Sequence, residues 1–230
     1  MKRLAKMCWG VPLVCLAACT GSLFQSKAAP PTIYVLWSGL GATAAAAPVA
    51  AAAGATVPTP LAVDLAVLKP RLSPGLESDR IAVLYPDRHL DYFADARWSG
   101  PLGEVLQDLA VQEFHTRANL RTVSGDASVF ASAYWVEFEV RDFQAEYTSA
   151  AAAPTVHVHF IARLGHSGDR RILGQFEATA RQAAADNRLT AIVDAYAHAA
   201  DAALAEVVVR ATESLAANQK LDSPVASAIR

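Results

Sequence analysis

The chain has 230 residues, 53% of them hydrophobic, and a formal net charge of −2. This length fits one domain with a sizeable core. A slightly acidic chain argues against a nucleic-acid-binding function and against electrostatic attachment to anionic lipid.

Residues 1–18 have the pattern of a bacterial lipoprotein signal peptide. The basic n-region carries three cations: Lys2, Arg3 and Lys6. The apolar residues 7–17 are too few to span a bilayer as a stable helix. They lead into Leu-Ala-Ala-Cys, in which small residues precede Cys19, so we expect cleavage before Cys19 and acylation of its thiol. The alternative is an ordinary signal peptide that happens to contain a cysteine.

Cleavage at that point changes the chemistry of the mature chain. It removes Cys8 and Cys15, and it moves the net charge from −2 to −5 because three cations leave with the signal. No thiol would then remain for a disulfide or a cysteine metal site, once Cys19 is acylated. Membrane attachment would come mainly from the acyl chains, at about 0.8 kcal/mol per buried CH₂.

The first part of the mature chain alternates between linker and strand patterns. Residues 19–31 are small and polar and predict a lipidated tether. A first strand is expected at residues 32–37, followed by an Ala/Pro-rich loop at residues 39–60, where a short helix is the alternative. Residues 61–68 alternate in hydrophobicity and predict the next strand.

Residues 74–109 predict a strand, a turn, a second strand and a helix start in one continuous unit. Residues 80–85 are almost all apolar, Pro86 and Asp87 supply turn chemistry, and residues 89–93 alternate. Pro101 suits the first turn of a helix, whose apolar residues recur at helical spacing from Leu102.

The C-terminal half predicts a hairpin and a long helix. Residues 134–141 alternate cleanly, and a bulge near Asp142 would bring Phe143 back into phase. Residues 156–164 and 172–178 form the arms of a hairpin. Asp186 and Asn187 are candidate caps for a helix that keeps a 3.6-residue period for seven turns, and residues 218–230 are expected to form a polar tail.

These elements predict an α+β fold in a single domain, residues 32–217. It is a two-layer sandwich with a mixed or antiparallel sheet of about six strands and two main helices on one face. The opposite sheet face would be solvated, and it carries a set of polar residues: Glu137, Glu139, Arg141, His157, His159 and Arg163.

Candidate chemistry on this chain is sparse. His157 and His159 are two apart on a strand and would project to one side, where they could share a metal. Polar residues two apart are also expected on the solvent-exposed face of a sheet, and this is the interpretation that we adopt. We therefore expect no metal, no cofactor and no catalytic residues, and a protein that is not an enzyme.

Tyr92, Phe93 and Trp98 are candidate partner-binding residues. Large aromatic side chains so close together at a strand-to-helix junction either anchor the core or leave an apolar patch for a partner. The sequence leaves both interpretations open.

Three segments carry a resemblance to a known family: SDRIAVLYPD (78–87), LDYFADARW (90–98) and GPLGEVLQDL (100–109). They resemble the ABC-type transport auxiliary lipoproteins, the PqiC-like family associated with MCE-type lipid transport systems. The resemblance implies an outer-membrane lipoprotein facing the periplasm, with Thr20 after Cys19 as in enteric outer-membrane lipoproteins. The implied partners are an MCE-domain protein and an ABC permease and ATPase, with self-association into a homo-oligomer as an open question. A regulator of envelope assembly or of a cell-wall enzyme is the alternative function.

Overall fold

Strands outnumber helices in the part of the chain that the computed structural model describes, which is residues 30–37, 61–125, 132–149 and 152–222. The strands there are β1 (Thr32–Tyr34), β2 (Leu61–Val67), β3 (Arg71–Leu72), β4 (Arg80–Leu84), β5 (Leu90–Trp98), β6 (Leu120–Gly125), β7 (Tyr134–Glu146), β8 (Thr155–His166) and β9 (Ile172–Ala183). The helices are α1 (Leu102–Arg117) and α2 (Leu189–Asp222).

The sheet is organised around β7, its longest strand. On one edge β7 pairs antiparallel with β8, which pairs antiparallel with β9. On the other edge three strands pair in parallel with successive parts of β7. β2 pairs from Tyr134, β3 pairs from Glu139, and β4 pairs from Ala145. β4 continues to β5 and β1, and β2 continues to β6. The sheet is therefore mixed, and the described residues contribute nine strands rather than the predicted number of about six.

Both helices pack on one face of the sheet, as predicted. α1 begins at Leu102, whose N–H donates to the Ser78 carbonyl over 3.0 Å, and Pro101 occupies the N-cap position. α2 lies mainly across β8 and β9 and also contacts α1. An α+β sandwich of two layers follows.

Three aromatic rings tie α2 to the sheet. The Trp98 ring lies edge-on to Tyr196 at 5.2 Å between centroids, and Phe143 lies 5.1 Å from Tyr196. The Tyr196 hydroxyl donates to the Ala82 carbonyl over 2.5 Å, and burial raises the pKa of this phenol far above its usual value. The centre of the core thus joins α2 to β4, β5 and β7.

The predicted bulge in β7 is present. The register with β8 shifts between Val140 and Asp142, which turns Phe143 inward, where it is 1% exposed. One extra residue in the strand restores the alternation that the sequence interrupts.

A buried ionic group joins the two helices. Glu113 on α1 is 1% exposed and forms an ion pair with Arg117, which also binds Asp201 on α2 at 2.7 Å. Burial raises the pKa of Glu113, and the hydrogen bond from Arg117 offsets only part of that effect.

The boundaries differ from prediction at the C-terminus. α2 continues to Asp222, beyond the predicted start of a polar tail at residue 218. Asn218 is buried, its amide donates to the Tyr134 hydroxyl over 3.2 Å, and its carbonyl oxygen accepts from Arg171. The predicted signal peptide and the Ala/Pro-rich loop at residues 39–60 lie outside the described residues.

Candidate partner-binding surface

Trp98, one of three predicted partner-binding residues, belongs to the core. It is 1% exposed, and its ring lies against Tyr196 and Phe143. Its backbone N–H donates to the Asp79 carbonyl over 2.7 Å. A partner therefore cannot contact this ring, and of the two interpretations the core one holds for Trp98.

Tyr92 is half-buried and held from two sides. Its hydroxyl donates to the Gly75 carbonyl over 2.8 Å, and the Arg80 guanidinium lies 3.9 Å from its ring centroid. Gly75 has a φ of 91°, and a Cβ there would lie 2.6 Å from a methyl carbon of Leu90. Glycine thus permits the turn on which the Tyr92 hydroxyl is anchored.

Phe93 is also half-buried and packs against the edge of the core. Because Tyr92 and Phe93 are consecutive in a strand, their side chains leave on opposite faces of the sheet. The three predicted residues therefore do not form one patch, and a partner-binding role remains a prediction for Tyr92 and Phe93.

The face of β7, β8 and β9 opposite the helices carries a ladder of paired charges. Arginine or histidine side chains lie within ion-pair distance of its carboxylates: Arg71–Glu137 at 2.8 Å, Arg141–Glu139 at 2.6 Å, Arg163–Glu139 at 3.3 Å and Arg181–Glu146 at 2.7 Å. Partial burial acts to raise the pKa of Glu146, but hydrogen bonds from Arg181 and His157 outweigh it and leave that pKa below its usual value. This is the polar face that the alternation of β7 and β8 predicts.

His157 and His159 lie in this ladder. His157 Nδ1 lies 3.0 Å from Glu146, and His159 lies 3.3 Å from Asp142 and 2.9 Å from Glu177. The two imidazole rings are 6.4 Å apart. Each ring is thus engaged by its own carboxylates, and within the described residues no group of three or more His, Cys, Asp or Glu is arranged to hold a metal ion.

An apolar stripe on β1 and the residues after it was not singled out from the sequence. We call Ile33, Val35 and Trp37 the N-terminal stripe; they are 55%, 58% and 60% exposed. Together with the start of α2 they line a groove of about 290 Å³ that also includes Val193 and Ala197. The sequence signal for the N-terminal stripe is a set of three large apolar residues at alternate positions, directly after the predicted polar tether.

The sequence model of the ABC-type transport auxiliary lipoprotein component matches residues 44–208. The chain belongs to this family. The match covers the sheet from β2 to β9 and most of α2, so the resemblance stated from three short segments is confirmed. A search of the curated proteins found no significant match.

Solved structures share the fold at low sequence identity. Protein XCC0632 from Xanthomonas campestris is 21% identical, with a TM-score of 0.64 over 83% of this chain and 97% of that one. A second, uncharacterized protein is 14% identical, with a TM-score of 0.53 over 68% of this chain and 95% of that one. At such identities the likeness concerns the fold alone.

The family description names its members as lipoproteins, a class of proteins that carry acyl chains. In residues 30–37, 61–125, 132–149 and 152–222, neither helix is apolar enough over sufficient length to cross a bilayer.

Proposed function

We propose that the chain is a periplasmic lipoprotein, anchored in the outer membrane through Cys19, that serves an ABC/MCE-type intermembrane lipid transport system by docking a transport partner. The family match over residues 44–208 carries this proposal. The Leu-Ala-Ala-Cys sequence that ends at Cys19 supports the anchor, and Thr20 supports the outer membrane as its destination.

The proposed mode of action is binding rather than catalysis. On the polar face of β7, β8 and β9, the carboxylates lie within ion-pair distance of arginine or histidine side chains. Ion pairs of this kind are ordinary on the solvated face of a sheet and do not by themselves indicate a catalytic group. Docking needs only a surface of the right shape.

Phe93 is the predicted contact that lends itself to a test of docking. It is half-buried at the edge of the core, whereas Trp98 is required inside it and Tyr92 is anchored to Gly75. Replacing Phe93 by serine removes an apolar contact without emptying the centre of the core. Ile172, which is 52% exposed on β9, provides a matched control as Ile172→Ser.

The decisive experiment is affinity purification of the full-length protein from detergent-extracted membranes, with mass spectrometry of its N-terminus and of the proteins that accompany it. We expect an acylated Cys19 together with MCE-domain and ABC components, reduced recovery of these partners with Phe93→Ser, and unchanged recovery with Ile172→Ser.

The possible failures are separable. If the acylated protein instead co-purifies with cell-wall synthesis enzymes, the proposed anchor at Cys19 stands and the alternative function, a regulator of envelope assembly, is supported. A free or uncleaved N-terminus would refute the anchor. Transport partners retained by a folded Phe93→Ser variant would refute only the contact assigned to Phe93.

A further inference from the structure

The N-terminal stripe is exposed although its residues are large and apolar. Ile33, Val35 and Trp37 are more than half exposed, while the alternate residues Tyr34 and Leu36 pack toward the core. β1 pairs with β5 and ends the sheet among the described strands. Three large apolar side chains on one side of an edge are more than the scattered single exposures that any surface carries.

The position of the stripe in the chain indicates what covers it. Ile33 follows Cys19 by only 14 positions. A segment of 14 residues reaches at most about 50 Å, even when fully extended. Acyl chains on Cys19 would therefore keep the stripe within this distance of the bilayer, at a high effective concentration of lipid.

The chemistry of the stripe fits the interface between headgroups and acyl chains. Residues 30–37 contain no charged side chain, and Tyr and Trp are the residues enriched at this depth of a membrane. Asp194 on α2 is the charged residue that lines the adjoining groove. Contact through such a surface would depend little on salt, unlike attachment through basic residues.

We propose that Ile33, Val35 and Trp37 insert into the interfacial layer of the leaflet that holds the acyl chains of Cys19, so that the domain lies against the membrane. This inference rests on the proposed acylation of Cys19. A partner strand that adds to the edge of the sheet fits this region less well than a membrane does, because β1 offers only three residues, Thr32–Tyr34, for pairing.

The test uses the full-length acylated protein in phosphatidylethanolamine–phosphatidylcholine vesicles whose acyl chains carry bromine, a quencher of tryptophan fluorescence. After cleavage the chain has three tryptophans, Trp37, Trp98 and Trp135. Trp98 is buried in the core, and Trp135 lies over Gly165 on β8. Trp37 is therefore the ring that lipid would quench.

We expect brominated lipid to quench the wild-type protein, Trp37→Phe to abolish most of this quenching, and Ile33→Ser combined with Val35→Ser to reduce it severalfold while Trp37 is retained. Ile172→Ser should quench like the wild type. The quenching should change less than twofold between low and high salt.

Acylation is verified on the same sample by mass spectrometry. An acylated protein whose Trp37 is not quenched, or is quenched equally in the double serine variant, overturns the membrane contact but keeps the anchor. If Trp37 is instead shielded from an aqueous quencher without being quenched by lipid, a second copy covers the stripe and the membrane contact is wrong. An unacylated Cys19 overturns the anchor and this inference together.

Discussion

Replacement of Arg117 by methionine should destabilise the domain through Glu113. Glu113 is 1% exposed, so its carboxylate depends on Arg117 for neutralisation, while Asp201 adds a second negative charge to the group. Removing one partner of a buried ion pair costs about 3–5 kcal/mol. Because Arg117 is 33% exposed and water reaches its side of the pair, we expect a loss of about 2–3 kcal/mol in the free energy of unfolding at pH 7.

The loss should depend on pH in a defined direction. Burial already raises the pKa of Glu113, and without Arg117 that pKa rises further. A carboxyl group whose pKa is higher in the folded than in the unfolded state binds its proton first in the folded state as the pH falls. The penalty is therefore complete above the folded-state pKa of Glu113, and it shrinks as the pH falls through that value toward the ordinary value for glutamate.

Urea unfolding between pH 4.5 and 8, followed by circular dichroism, measures both effects. Arg188→Met is the matched control, because Arg188 pairs with Asp186 on the surface and should change stability by less than about 0.5 kcal/mol. Glu113→Gln combined with Arg117→Met should recover part of the loss, since the buried charge of Glu113 is then absent and only that of Asp201 remains. A loss below about 0.5 kcal/mol in Arg117→Met, or one that is constant with pH, would refute the reasoning.

Three further substitutions test the core and the sheet, each by thermal or urea unfolding. Trp98→Ala should cost about 3–5 kcal/mol, and a loss below about 1 kcal/mol would contradict its central place in the core. Tyr196→Phe should cost about 1–3 kcal/mol because the buried Ala82 carbonyl loses its donor; unchanged stability would show that another group satisfies it. Gly165→Ala should cost about 1–3 kcal/mol, since a Cβ would lie 2.3 Å from the Trp135 ring, and Trp135→Ala in the same chain should remove most of that penalty.

Features that depend on local alternation were predictable from the sequence. The hairpin of β8 and β9 and the bulge in β7 follow from which residues must face the core, and both are present. The start of α1 after Pro101 also follows from local chemistry, because proline suits a first turn.

Features that depend on distant partners were not predictable. β3 has two residues and exists because Arg71 and Leu72 lie beside Glu139 and Val140 of β7. β5 extends past the predicted residues 89–93 to Trp98, through a positive φ of 53° at Asp95 that no alternation reveals. α2 outlasts its apolar pattern because Asn218 finds hydrogen-bond partners on Tyr134 and Arg171.

The candidate site shows the same division. Aromatic composition identifies Tyr92, Phe93 and Trp98 as important but does not tell a core ring from a surface ring, because both suit a strand. Burial assigns Trp98 to the core. Tyr196 of α2, which is distant in sequence, covers its ring. The N-terminal stripe is a different case. The alternation of its three apolar residues after the predicted tether can be read from the sequence, and only their exposure required the structure.

The parallel pairing along β7 also constrains the order in which the molecule can assemble. β2, β3 and β4 each find their neighbour on a strand that ends at Glu146. A chain that emerges N-terminus first thus leaves one edge of β2 and of β4 unpaired until β7 arrives, past the middle of the chain. Contacts so distant in sequence make assembly slow and leave open strand edges prone to aggregation.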